Sequence, residues 1–104
     1  MTLEELERKV YSWGVTRGIL VNGKAETQTL KLTSELGELA DNIAKGRYQE
    51  AKDDIGDMIV VLIMIADLIG TDITECLQVA YDDIKDRKGY LNEQGVFVKE
   101  GDEV

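Results

Sequence analysis

DDIGDMIVVLIMIAD, residues 53–67, sets three carboxylates, Asp53, Asp54 and Asp57, directly ahead of nine consecutive apolar residues, Met58 to Ala66. The segment reads as the middle of a helix from about Tyr48 to Ile69, stopped by Gly70. From Met58 to Ala66 that helix is apolar on every side, whereas a surface helix of a small domain is amphipathic. A chain of 104 residues has little material with which to surround one helix. The expectation is that subunits pack together around it, as a homodimer or homotetramer, in preference to a monomeric bundle.

Residues three or four apart share a helix face. Glu50, Asp54 and Asp57 therefore form one stripe, which continues as Val61, Met64 and Leu68. The acidic face becomes an apolar face without changing direction, so Asp57 stands at the edge of buried territory. Asp53 also lies four residues before Asp57, and spacing alone leaves open which of the two aspartates partners it.

Working outward, the preceding helix runs from about Ala25 to Ala44, with an apolar stripe of Leu32, Leu36, Leu39 and Ile43. A wheel of about 100° per residue puts Gln28, Lys31, Glu35, Glu38 and Asn42 in one polar band along the edge of that stripe. If the apolar faces pack antiparallel across the short KGRYQ connection, the pair Glu35 and Glu38 converges with the aspartates. Thr2 with Glu5 reads as a capping box for a first helix, about Leu3 to Trp13, followed by a looser glycine-punctuated segment, WGVTRGILVNGK. Asp72 with Glu75 caps a further helix from Ile73 to about Lys88, with Gly89 as its stop. In the tail, Val96, Phe97 and Val98 follow the turn-like NEQG and can pair with Tyr90 and Leu91 as a hairpin. The expectation is one all-α, four-helix domain over 1–104, with a helical core at about 25–88 and a short tail at about 89–104.

Composition narrows the chemistry. The net charge of −9 argues against a nucleic-acid partner, whose phosphates call for clustered Lys and Arg. No membrane partner is expected, because the apolar run is far short of the roughly 20 residues that span a bilayer. A single cysteine, Cys76, and no basic-then-apolar leader fit a cytoplasmic setting. The complete lack of histidine removes Ser-His-Asp and Cys-His catalysis and imidazole-based zinc sites. What remains is carboxylates, Lys, Arg and metal ions.

Four unpaired carboxylates in one partly desolvated place are costly, and divalent cations relieve the cost. Oxygen-only donors suit Mg²⁺ or Mn²⁺, and Ca²⁺ less well. Either acidic pair alone would read as an ordinary solvated helix face. Two pairs at equal spacing, each bordering an apolar stripe on adjacent helices, make a metal site an equal contender. Trp13 and Tyr48 are read as packed apolar surface ahead of base-stacking platforms.

The segments KLTSELGELADNIAKG, DDIGDMIVVLIMIA and AYDDIKDRKGYLNEQGVFVKE resemble the short, single-domain MazG-like nucleotide pyrophosphohydrolases, within the all-α NTP pyrophosphatase group that also contains dimeric dUTPases. The resemblance extends from Trp13, Arg17, Gly18 and Ile19 to the GVFVKE tail. The family signature is E-x-x-E on one helix and E-x-x-D on the next. Glu35 and Glu38 match the first pair and Asp57 the final aspartate. Asp54 stands where the family usually has glutamate, so the resemblance selects it over Asp53. It implies Mg²⁺-dependent hydrolysis of a nucleoside or deoxynucleoside triphosphate between the α and β phosphates. Glu35, Glu38, Asp54 and Asp57 would be the metal ligands, with Glu35 or Glu38 orienting the attacking water. Lys31, one turn before Glu35, is a candidate for the polyphosphate, and Lys85 and Arg87 match the family's K-x-R. Asp82, where relatives commonly carry asparagine, falls near metal and nucleotide in the family. The competing reading is a non-catalytic helical oligomerisation or nucleotide-binding module, in which the acidic pairs serve solubility alone.

Overall fold

The computed structural model describes residues 1–101 of the chain; positions 102–104, the end of the expected tail, lie outside the described residues. The chain divides into two compact units, Met1–Ile73 and Thr74–Val104. Both the helical expectation and the small hairpin are met: the described residues are mostly helical, with one two-stranded antiparallel sheet.

In the first unit, α1 (Leu3–Thr16) is followed by the single turn α2 (Ile19–Asn22), then α3 (Ala25–Ala44) and α4 (Tyr48–Leu68). The Thr2 hydroxyl accepts the Glu5 amide at 3.1 Å and donates to Glu5 Oε1 at 3.2 Å. This is a variant of the capping box in which the glutamate returns to the cap's hydroxyl instead of its backbone. The helix was expected to loosen after Trp13; it continues through Gly14 to Thr16. Gly14 is buried because it faces Met64 of α4, and a Cβ there would lie 2.7 Å from Met64 Cε. The glycine acts as a packing notch within the helix. Gly18, at φ +76°, is the residue that ends α1, and α2, a single turn, was not foreseen. Trp13 and Tyr48 were expected to pack as apolar surface, but both are exposed, and the Arg17 guanidinium lies 5.8 Å from the Trp13 ring centroid.

The core of this unit is α4. All five buried apolar residues among those described, Ala51, Val61, Ile63, Met64 and Ala66, belong to it. One side packs on α3 and another on α1 and α2. Its third face, Ile55, Ile59 and Leu62, is open, as is Ile69 just past its end. The stripe running through Asp54, Val61 and Met64 is buried as periodicity implied, beginning at Ala51 because Glu50 is exposed.

For α3 the expected rotation is wrong. Leu36 and Ile43 are 53% and 49% exposed, and the residues turned inward are Ala25, Gln28, Leu32, Glu35, Leu39 and Asn42. These six form two interleaved series at seven-residue spacing, one apolar (25, 32, 39) and one polar (28, 35, 42). The expected polar edge is thus half of the packed seam, because the α4 face opposite it carries Asp54 as well as apolar residues. Between the helices, Gly46 at φ +69° closes α3: the Gly46 amide donates to the Ile43 carbonyl at 3.1 Å and the Arg47 amide to the Asn42 carbonyl at 2.8 Å.

The second unit takes all but the first residue of α5 (Ile73–Ile84), a helix that stops four residues short of the expected Lys88. The chain there is taken by the hairpin: β1 (Gly89–Leu91) pairs antiparallel with β2 (Phe97–Lys99), and the Glu100 amide donates to the Lys88 carbonyl at 2.8 Å. Gly89 is a strand residue opposite Lys99, with Phe97 so near that a Cβ would touch its ring. Asn92 Oδ1 accepts the amides of Gln94 (3.0 Å) and Val96 (2.9 Å) and shapes the turn.

Candidate functional site

The three-residue connection between α3 and α4 forces them antiparallel, which carries the Glu35–Glu38 pair to the start of α4. One oxygen each of Glu35, Glu38 and Asp54 lies within 4.8 Å of the others. Asp54 is 6% exposed, the one buried charged residue among those described. Glu38 is exposed and Glu35 half-buried. Glu35 Oε2 is cut off from solvent and has no hydrogen-bond partner, the one such side-chain atom among the described residues. A buried, partnerless carboxylate oxygen is costly as it stands.

The charges agree with the distances. Glu35 is pushed above the ordinary glutamate value by burial first, then by the charges of Glu38, Asp57 and Asp54, with Lys31 pulling the other way. Asp57 is close enough to act on Glu35 electrostatically, yet it is outside the tight group of three. It helps to line a groove of about 580 Å³ between α1 and α4, with Leu3, Leu6, Val10, Ile63 and Asp53 among the other walls. Spacing left Asp53 and Asp54 as equals. The structure separates them: Asp54 faces α3, and Asp53 is exposed on the groove side.

Two residues were overlooked as contributors. Asn42 Nδ2 donates to Asp54 Oδ2 at 2.6 Å, and Arg47 Nε donates to Asn42 Oδ1 at 2.8 Å. Arg47 Nη2 in turn meets Asp41 Oδ2 at 2.9 Å, and Lys45 Nζ meets Asp41 Oδ1 at 3.0 Å. The Lys45 hydrogen bond, foremost, and the two nearby cations hold the Asp41 carboxyl below its ordinary range. Asn42 appeared in the polar band of α3 without a role. The sequence signal that marks it is the seven-residue series Gln28, Glu35, Asn42.

The remaining candidates are in the second unit. Lys85 Nζ lies 3.6 Å from Asp82 Oδ1, which also accepts from Gln78 Nε2 at 3.1 Å. Arg87 pairs with Asp83. All of these are intrahelical or near-helical pairs at exposed or part-exposed positions.

With the acidic cluster in place, the comparison with known proteins is decisive for the family. The family model for the MazG nucleotide pyrophosphohydrolase domain matches residues 24–91. The chain belongs to the MazG nucleotide pyrophosphohydrolase family. The matched MazG segment holds α3, α4, α5 and β1, and with them all four acidic residues, Lys85 and Arg87. A curated relative from Haemophilus phage HP1 (strain HP1c1), named an uncharacterized 18.2 kDa protein in the rep-hol intergenic region, is 33% identical over 64 residues. The aligned stretch is 62% of this chain and 39% of that protein, so the chain spans about two fifths of the relative's length. No solved structure matches the chain significantly. Among the described residues no helix is long and apolar enough to cross a membrane.

Residues of a MazG domain would have to accept a divalent metal, and these fit on their own chemistry. The donors are all carboxylate oxygens, the choice of hard cations. The orphaned Glu35 Oε2 beside Glu38 and Asp54 is a position that a cation would satisfy and a proton satisfies only by neutralising the group.

Proposed function

We propose that this MazG domain is a Mg²⁺-dependent nucleoside triphosphate pyrophosphohydrolase, converting a (d)NTP into the (d)NMP and pyrophosphate, with Mn²⁺ able to replace Mg²⁺. The observation that carries the reading is the buried, partnerless Glu35 oxygen inside the Glu35–Glu38–Asp54 group. Glu35, Glu38, Asp54 and Asp57 would hold the metal, which supplies charge neutralisation of the triphosphate and a lowered pKa for the attacking water.

The chain's own residues do the rest. Glu38 is the exposed member of the group, open to water, and is assigned as the base that orients the nucleophile and takes its proton. The water oxygen bonds to the α-phosphorus as the bond from that phosphorus to the α–β bridging oxygen breaks in line, and pyrophosphate leaves. Lys31 is assigned to the polyphosphate, its charge already acting on Glu35 from one turn away. Lys85, Arg87 and Asp82, paired at present within the second unit, are carried as substrate-binding residues because they fall inside the matched MazG segment. The open apolar faces, Ile55, Ile59 and Leu62 on α4 and Leu36 and Ile43 on α3, support assembly into a homodimer or homotetramer.

The test is release of pyrophosphate from a panel of (d)NTPs with Mg²⁺, by the parent and by Glu38→Gln. Turnover in the parent and its loss by several orders of magnitude in the variant are expected. No turnover at high enzyme concentration would favour a binding or assembly module instead.

A further inference from the structure

A buried carboxylate that gives one oxygen to a cation needs a donor for the other. Asn42 is that donor for Asp54, at 2.6 Å. Its amide has one donating and one accepting end, and Arg47 decides which is which. A guanidinium only donates, so Arg47 Nε takes the amide oxygen at 2.8 Å and the NH₂ group is left facing Asp54. The reversed amide would oppose donor to donor at Arg47 and acceptor to acceptor at Asp54. Arg47 is itself fixed twice: its backbone amide donates to the Asn42 carbonyl in the helix-ending turn, and its Nη2 is tied to Asp41, which also holds Lys45. A relay of hydrogen bonds thus runs Lys45–Asp41–Arg47–Asn42–Asp54, from the surface at the end of α3 to the acidic group.

We propose that Asn42, set by Arg47, is a positioning residue of the metal site: it pins one oxygen of Asp54 so that the other alone is offered to the cation. This rests on the metal-binding reading above. Two features favour a neutral amide for the task. It donates without cancelling the aspartate's charge, as a Lys or Arg in direct contact would. It also stops a short side chain from turning both oxygens toward the cation. The charge of Arg47 is spent on Asp41 at the surface, one residue removed from the carboxylate that must stay anionic.

The experiment is direct Mn²⁺ binding to the full chain without nucleotide, by calorimetry and by Mn²⁺ electron paramagnetic resonance, alongside melting in EDTA. Asn42→Ala should weaken Mn²⁺ ~10–100-fold, the usual cost of losing an outer partner of a ligand, and alter the resonance line shape of bound Mn²⁺. Arg47→Lys keeps the charge and the backbone turn but cannot serve Asn42 and Asp41 together; a several-fold loss is expected, restored toward the parent by no change in salt. A purely structural role predicts a lower melting temperature in EDTA with unchanged Mn²⁺ affinity and line shape, and that result overturns the proposal. If Asn42→Ala does not fold, Arg47→Lys and Asp41→Asn carry the test, and parental affinity in both overturns it. A parent that binds no Mn²⁺ overturns the metal-site reading and this proposal together; a parent that binds no better than Asn42→Ala overturns this proposal alone.

Discussion

Lys31 and Glu35 stand one helical turn apart on α3, and the ammonium lowers a carboxyl pKa that burial and three neighbouring carboxylates raise. Among the described residues Lys31 is the cation whose charge opposes that rise. Replacing it, as Lys31→Met, should push the Glu35 pKa higher still and weaken nucleotide binding. The expected kinetic outcome is a raised KM for the triphosphate with a smaller fall in kcat. An unchanged KM would remove Lys31 from the polyphosphate.

Glu35 itself gives a pH signature with a definite sign. Its pKa is higher folded than unfolded, so between the ordinary glutamate value and the raised one the folded state binds more protons. In metal-free buffer the contribution of this group to stability is therefore greatest at the acid end of that window and is lost as pH rises through the folded pKa. Glu35→Gln, which cannot ionise, should melt higher than the parent at pH 7 in EDTA while losing Mg²⁺-dependent turnover. Thermal melts of both proteins across the acid range check this. A variant less stable than the parent at pH 7 would show that the charged oxygen is better satisfied than its burial implies.

Metal should act on the same group in the opposite direction. Ligands must shed protons before they bind, so Mg²⁺ or Mn²⁺ affinity should fall as pH drops through the raised Glu35 pKa, with proton release on binding in that range. Calorimetry in two buffers of different ionisation enthalpy measures the protons released. None released anywhere across the window would mean that Glu35 takes no part.

The helices were legible in the sequence because periodicity and caps are local. Thr2–Glu5, the glycines at 46 and 70, and the apolar run of α4 each announced a boundary or a burial that the structure keeps. What could not be read was rotation about a helix axis. Leu36 and Ile43 share a stripe with Leu32 and Leu39 on a wheel, yet a polar series completes the seam, because what a helix buries depends on the face opposite. Gly14 misled for a related reason: a glycine within a helix looks like a break until its neighbour across the interface, Met64, is known. In the site, the E-x-x-E and D-x-x-D spacings brought out the acidic residues. The Asn42–Arg47 relay stayed hidden because it depends on the geometry of the turn between the helices.

The Gly14–Met64 contact sets a clear stability test. A methyl group at position 14 collides with a buried thioether in the core of the first unit. Gly14→Ala gains helix propensity, worth about 1 kcal/mol. Overpacking costs about 1–3 kcal/mol, partly relieved because methionine can change rotamer. The net expectation is a melting temperature lowered by up to about 10 °C, with the double variant Gly14→Ala/Met64→Leu recovering part of the loss. Increased stability in the single variant would mean that the notch is dispensable.

Assembly is the last expectation, and it follows from where α4 has no cover. Three of its apolar residues, Ile55, Ile59 and Leu62, remain open although α3 packs one side and α1 and α2 another. A charge placed there is harmless on an isolated chain and costly inside an interface, since a buried unpaired carboxylate is strongly disfavoured. Ile55→Glu should therefore leave the helical circular dichroism intact while lowering the mass measured by light scattering from a multiple of the 11.6 kDa chain toward the chain itself. Should the parent already run at 11.6 kDa across the micromolar range, the open face of α4 must be accounted for without a second copy.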